Sequence, residues 1–421
     1  MTILIKNANV FDGKHASLRH NVNLVIERNL VTEIAGGKLP EDGFDAVYDA
    51  GGQTVIPGLT DAHVHLSITS NTLSDGWRVD EKAVRSVRFA KEMLLRGFTT
   101  VRDAGGITFG LKRSIDNGFL EGPRILPSNA MISQTSGHGD IRASHAEVRI
   151  TDRIYASADM NSGLSVIADG VAEVTRAVRE QLFLGASQIK LMAGGGFSSP
   201  YDPIPTVQFS LEEMKAAVGA AADYGTYVMA HLYTPKSMQR AAEAGVKCFE
   251  HATMLDEETA KIAADHGIWI TPGPQLSRSY PTQGMPPDLL KLIEDFRRGE
   301  QIATELIDKY SLPILYGTDA FGDIGKAGEI QLDDFRIYQE RFGSHRGLVA
   351  ATGNVHELIK LSTYQNPYPE GKIGVLEEGS FADLLIVQGN PVENLSILSD
   401  PANLKFIMKD AVVYKNTLHA L

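Results

Sequence analysis

Apolar residues along this chain fall into two textures. In the centre, short apolar runs alternate with longer segments whose apolar positions recur every three or four residues. The runs read as buried strands: Thr54–His65, Thr99–Asp103, Arg124–Pro127, Gln188–Met192, Tyr227–His231, Lys247–His251, Ile268–Pro272 and Pro313–Thr318. Between them the helical period covers Lys82–Leu95, Val171–Leu184, Leu211–Tyr224, Pro235–Ala244, Asp256–His266 and Pro287–Lys309. Ser210-Leu-Glu-Glu213 has the pattern of a capping box opening one of these helices. Strands alternating with helices in this number predict an α/β chain built as a (β/α)₈ TIM barrel.

Both ends differ from the centre and resemble each other. Ile3–Ala8, Asn23–Glu27, Leu30–Ile34, Ala46–Asp49 and Thr54–Ile56 are short strands separated by turns. The same texture returns in Phe381–Val387, Leu404–Met408 and Ala411–Tyr414, with Gly379 and Gly389 as turn residues around the first. Residues 1–56 and 369–421 are therefore expected to form one small β-sandwich from both termini, clamping a barrel over residues 57–368. The stretch 132–170 and the loop Pro272–Pro287 are long connections, expected over the barrel mouth.

Composition narrows the function classes. Forty basic against 52 acidic residues give a net charge of −12. That disfavours nucleic acid or an anionic membrane as partner, since phosphate neutralisation needs clustered Lys and Arg. No apolar stretch reaches the roughly 20 residues of a membrane span. The chain opens directly on a strand, without the pattern of a secretion signal, so a cytoplasmic location is expected. A single cysteine, Cys248, excludes intrachain disulfides and reads as a small buried hydrophobe in the strand leading to His251.

Candidate metal ligands stand at the ends of successive predicted strands, where a barrel carries its active site. His63 and His65, in Asp61-Ala-His-Val-His65, are two apart on a strand and leave the same face. Lys190, His231, His251 and Asp319 end later strands. A lysine in an apolar strand is costly to desolvate, so Lys190 needs either a carboxylate partner or a modification that removes its charge. Tyr233 shares a strand face with His231 and could donate to a developing oxyanion; packing at the barrel rim would explain it equally. His138, in a polar Ser-Gly-His-Gly-Asp loop, could bind a substrate carbonyl or carboxylate, or simply face solvent. Gly194-Gly-Gly196 lacks a following Gly-Lys-Ser/Thr, so it is no phosphate loop; the glycines are expected to let the backbone turn sharply. His145, His266, His345 and His356 have no ligand spacing and are read as structural or exposed.

The string Pro57-Gly-Leu-x-Asp-x-His-x-His65 resembles the first-strand metal motif of the amidohydrolase superfamily. Matching residues follow in that superfamily's order through Asp319, and Gly374–Val387 resembles the return to its terminal β-sandwich. The resemblance implies two divalent metal ions, with Zn²⁺ favoured by the histidine-rich donor set. It implies that Lys190 carries carbon dioxide as N6-carboxylysine and bridges them. His63, His65, Lys190 and Asp319 would hold one ion; Lys190, His231 and His251 the other. A bridging hydroxide would be the nucleophile, with Asp319 as general acid and base.

Within the superfamily, Lys190-Leu-Met-Ala-Gly-Gly, His231-Leu-Tyr233 and Ser136-Gly-His138-Gly-Asp140 look most like the branch of Xaa-Pro dipeptidases, carboxypeptidase-like enzymes and ochratoxin-hydrolysing amidases. That implies cleavage of an amide between an acyl or aminoacyl group and a C-terminal amino acid, the substrate being a small amide or dipeptide. Phe197, Tyr201 and Tyr280 could floor an apolar pocket, and Arg142, Arg153 or Arg278 could meet a substrate carboxylate. Family likeness also implies a homo-oligomer, with an octamer as candidate size. Two alternatives stay open: a cyclic amide or imide hydrolase of the same superfamily, and a non-catalytic barrel scaffold.

Overall fold

The computed structural model describes residues 1–70, 79–142, 163–196, 201–273, 285 and 287–418. Arg153, Arg278, Phe197, Tyr280 and His145 lie outside these described residues, as do parts of both long connections.

The N-terminal strands are β1 (Thr2–Val10), β2 (Arg19–Glu27), β3 (Leu30–Gly36), β4 (Ala46–Asp49) and β5 (Thr54–Pro57). The central strands are β6 (Leu59–Val64), β7 (Phe98–Asp103), β8 (Arg124–Pro127), β9 (Met131–Ser133), β10 (Ser165–Ile167), β11 (Ile189–Met192), β12 (Val228–Leu232), β13 (Cys248–His251) and β14 (Trp269–Thr271). The C-terminal strands are β15 (Leu384–Val387), β16 (Leu404–Lys409) and β17 (Val412–Asn416).

Both termini enter one eight-stranded mixed sheet in the order β17-β16-β15-β5-β1-β2-β3, with β4 pairing β1. The central strand β15 is apolar on both faces because both are covered. Leu385 and Val387 pack into the central core, whereas Leu384 and Ile386 join Ile3, Leu24 and Phe406 in a second one. This is the two-residue alternation of a strand buried on each side.

The centre is a TIM-barrel-like α/β fold. β6-β7-β8 and β10-β9-β11-β12-β13-β14 form two parallel sheets. Backbone bonds link their edges: Ser187 N to Pro127 O at 2.8 Å, Ile270 N to Pro313 O at 2.9 Å and Ala62 N to Tyr316 O at 2.7 Å. Helices alternate with the strands much as the periodicity predicts: Val79–Leu95, Val171–Phe183, Leu211–Ala222, Pro235–Ala244, Glu257–Asp265 and Pro287–Lys309. The capping box is present: Ser210 accepts from the Glu213 backbone N–H, and the Glu213 side chain from that of Ser210. Among the described residues no helix is long and apolar enough to cross a membrane.

Two predicted strands differ. Thr54–His65 is not one strand but β5 and β6, in different sheets. The break is at Gly58, where a Cβ would sit 1.9 Å from Thr99 Oγ1, so the chain passes hard against β7 and changes direction. Pro313–Thr318 is not a continuous strand either. The segment touches its neighbours through one isolated bridge, Ile270 with Ile314, and through single backbone bonds such as Leu315 N to Ile270 O at 2.9 Å, and beyond it Asp319 takes a left-handed φ of 53°.

Candidate metal centre

Parallel pairing sets the centre's layout. Lys190 pairs with Met229 and Met192 with His231 across β11 and β12, while Leu232 pairs with His251 across β12 and β13. His231 and His251 therefore stand one residue apart in register near the ends of their strands, Lys190 lies two residues deeper on β11, and β6 brings His63 and His65 beside them. The ladder between β6 and β7 shifts register between Asp61 and Val64. The His63 and His65 rings lie 5.4 Å apart, centroid to centroid.

His63, His65 and Asp319 offer ligand atoms that all fall within 4.8 Å of one another. Asp319 Oδ1 is 3.3 Å from His65 Nε2 and 3.6 Å from His63 Nε2. Lys190 Nζ lies 3.3 Å from His63 Nε2. The His63 and His251 rings are 5.1 Å apart, and His231 and His251 4.8 Å. All six candidate ligands thus converge in one buried cluster.

His63, His231, His251 and Asp319 are in the protonation states that a cation needs. Burial, with the Lys190 charge adding to it, lowers His63 to about 4. Burial likewise takes His231 and His251 well below the usual histidine range. Burial would raise Asp319, but the neighbouring His63, His65 and His251 outweigh it and keep the carboxyl well below its ordinary value. Burial also lowers Lys190, to about 8, despite the nearby Glu250 and Asp319 carboxylates. Neutral imidazoles and an ionised carboxylate are potential donors, and Lys190 gives up its proton far more readily than an exposed lysine does.

Outer partners sort the imidazole nitrogens. His63 Nδ1 faces Glu250 Oε2 at 2.6 Å, His65 Nδ1 faces Gly105 O at 3.1 Å, and His231 Nε2 faces Gly195 O at 3.1 Å. A carbonyl or carboxylate only accepts, so each facing nitrogen carries the proton and the other keeps its lone pair. His251 Nδ1 is buried without a hydrogen-bond partner. An orphaned buried nitrogen within a cluster of imidazoles and one carboxylate fits a metal site. His251 and Asp319 also adopt left-handed φ values of 74° and 53°, strain that concentrates where side chains must be aimed.

Residues 54–415 match the amidohydrolase family model. The chain belongs to the amidohydrolase family. A crystal structure of an amidohydrolase is 34% identical, with a TM-score of 0.88 over 99% of each chain. A prolidase solved with N-methylphosphonate-L-proline is 31% identical, with a TM-score of 0.87 over 99% of this chain and 100% of that one. Ochratoxinase of Aspergillus niger is 29% identical over 380 residues, 86% of this chain and 75% of that protein. Its crystal structure superposes with a TM-score of 0.86 over 99% of this chain and 96% of that one. An amidohydrolase with these relatives is a hydrolase acting on amide bonds.

The amidohydrolase site also holds residues that strand periodicity and ligand spacing do not single out. Asp61 is fully buried and accepts from Thr318 Oγ1 at 2.6 Å, Gln331 Nε2 at 2.9 Å and the Thr318 backbone N–H at 3.1 Å. It ties β6 to the turn that presents Asp319. Burial raises Asp61 to about 6, because the bonds it accepts offset only part of its desolvation. Asp103, raised to about 7 by burial, accepts from the Leu66 and Gly105 backbone N–H groups beside His65. Arg102 and Glu250 form a buried pair at 2.7 Å. Asp61 stands in the Pro57–His65 string, but for Arg102, Asp103 and Glu250 the only sequence signal is a charge inside an apolar run.

Tyr233 and His138 both stand against His231. Tyr233 meets it edge-on at 4.8 Å and also contacts His251 and Phe296, so rim packing and proximity to the centre hold together. His138 stacks on His231 at 4.2 Å, with an interplanar angle of 11°. Its Nδ1 faces Asp202 Oδ2 at 2.8 Å, so it is not a free loop histidine. The expected sharp turn at Gly194–Gly196 is not why glycine is needed, since none of the three has a positive φ. Close approach is the reason: a Cβ on Gly196 would lie 1.7 Å from His138 Cε1. Arg142 pairs with Asp140 at 2.5 Å, and Tyr201 is partly exposed. Elsewhere, His266 contacts Ile262 O and His345 contacts Lys14 O, away from the centre.

Proposed function

We propose that the chain is a binuclear metal-dependent amidase that releases a C-terminal amino acid from a dipeptide or an N-acyl amino acid. Its two parallel sheets are read as parts of one (β/α)₈ barrel, and the terminal sheet as the accompanying sandwich. The observation that carries this reading is a fully buried lysine amine 3.3 Å from a candidate ligand nitrogen, beside an ionised aspartate. A structural lysine would have a carboxylate at hydrogen-bond distance. Lys190 instead is depressed toward neutrality, and a neutral amine is the form that captures carbon dioxide.

As N6-carboxylysine, Lys190 would join His63, His65, His231, His251 and Asp319 in holding two divalent ions. Bound there, divalent ions such as Zn²⁺ would acidify water and polarise the scissile carbonyl. Asp319 takes the proton of the attacking water and returns it to the departing amine. Tyr233 is placed to donate its hydroxyl to the developing oxyanion. His138, oriented by Asp202, is placed to contact the substrate beyond His231. The relatives include a protein named ochratoxinase and a prolidase, which supports an amide whose leaving group is an amino acid.

The test is protein reconstituted with Zn²⁺ and bicarbonate, screened against dipeptides and N-acyl amino acids. Release of free amino acid that disappears on chelation and returns with metal is expected. Turnover confined to cyclic imides or ureides, or turnover indifferent to chelation, would overturn the assignment.

A further inference from the structure

Beneath the imidazole cluster lies a charged pair that the proposed reaction does not consume. Arg102 on β7 and Glu250 on β13 are both completely buried. Glu250 Oε1 accepts from Arg102 Nη2 at 2.7 Å, and Oε2 lies 2.6 Å from His63 Nδ1. The guanidinium spends its other donors on Ala62 O at 2.6 Å, Tyr227 Oη at 3.1 Å, Thr271 Oγ1 at 3.1 Å and Cys248 Sγ at 3.5 Å. It therefore braces β6, β13, β14 and the residue leading into β12 at one point.

His65 and His231 are backed by neutral carbonyls, whereas His63 is backed by a charge. A carboxylate cannot donate once ionised, so it demands the proton on Nδ1. The lone pair of His63 is then on Nε2, the nitrogen facing Lys190 and Asp319. A charged acceptor also makes an imidazole a stronger donor than a carbonyl does. Burying a carboxylate is tolerable only with a paired cation, which is what Arg102 supplies.

We propose that the Arg102–Glu250 pair is a positioning device that commits His63 to metal through Nε2 and strengthens it as a donor. This rests on the reading of His63 as a ligand. It makes Glu250 a positioning residue for one of the two ions, because its bond reaches His63 and not His231.

The test is a Co²⁺ titration of the full chain against a competing chelator, comparing wild type with Glu250→Gln. The expected result is that one Co²⁺ equivalent weakens by about 10–100-fold while the other is unchanged. Equal weakening of both, or of neither, overturns the proposal. Because Glu250→Gln leaves Arg102 buried without its carboxylate, Arg102→Met/Glu250→Gln is titrated too and carries the same expectation. A third measurement needs no altered pair: nitrogen-15 histidine spectra of chelated wild type, with the His63 signal identified by its loss in His63→Asn. The His63 proton is expected on Nδ1, and finding it on Nε2 overturns the proposal. Wild type that binds no Co²⁺ would sink the metal-centre reading and this inference with it. Wild type that binds two, with variants that bind both as well, would sink this inference alone.

Discussion

Replacing Lys190 by methionine should change how the metal-free protein responds to alkali. Lys190 is 1% exposed, and burial lowers it from 10.5 to about 8. Its folded value thus lies below its unfolded one, so the unfolded chain binds more protons between those two values. Stability therefore rises with pH across that window. Below pH 8 both states carry the charge and the full burial cost applies; above 10.5 neither does. At about 1.4 kcal/mol per tenfold change in proton affinity, the drop is worth about 3 kcal/mol. Denaturant unfolding of chelated wild type in carbon dioxide-free buffer should gain roughly that much between pH 8 and 10.5, relative to Lys190→Met. Near pH 7 the methionine variant should be the more stable of the two, since it avoids desolvating an ammonium. Parallel stability curves for the two proteins would refute the reasoning, because they would mean that Lys190 titrates like an exposed lysine.

Other outcomes follow from the same geometry. Asp319→Asn keeps the shape of the side chain but cannot accept a proton, so kcat on an N-acyl amino acid should fall about 10²–10⁴-fold with the thermal transition little changed. Tyr233→Phe removes only the hydroxyl; if that hydroxyl meets the oxyanion, kcat should fall by about 10²-fold with KM nearly constant. A change confined to KM would return Tyr233 to a packing role. Arg124, buried on β8, pairs with Asp383 at 2.9 Å and with Asp410, and lies 3.7 Å over the Phe381 ring. Arg124→Met strands a buried carboxylate where the central core meets the terminal sheet, so urea unfolding should show a loss of about 3–5 kcal/mol. Adding Asp383→Asn should recover part of it.

Much of this architecture is written locally. The helix Pro235–Ala244 has its predicted bounds because Thr234 caps it and Gly245, at φ 98°, ends it. The ordered appearance of His63, His65, Lys190, His231, His251 and Asp319 along the chain is equally local, and parallel strands with helical crossovers bring such positions to one side. A linear pattern cannot say which charge lies under which ligand. Arg102 and Glu250 are 148 positions apart, and Asp61 and Gln331 are 270. Their partnership depends on strand pairing across the whole central domain.

The sequence by itself determined the class of fold, the candidate ligands and the kind of chemistry, because hydrophobic period and residue type act over a few neighbours. Only the tertiary structure decided where β5 leaves for another sheet, which nitrogen of each imidazole keeps its lone pair, and that His138 is held by Asp202. Those outcomes depend on steric approach and on hydrogen bonds between segments far apart in the chain, which exist only once the strands have met.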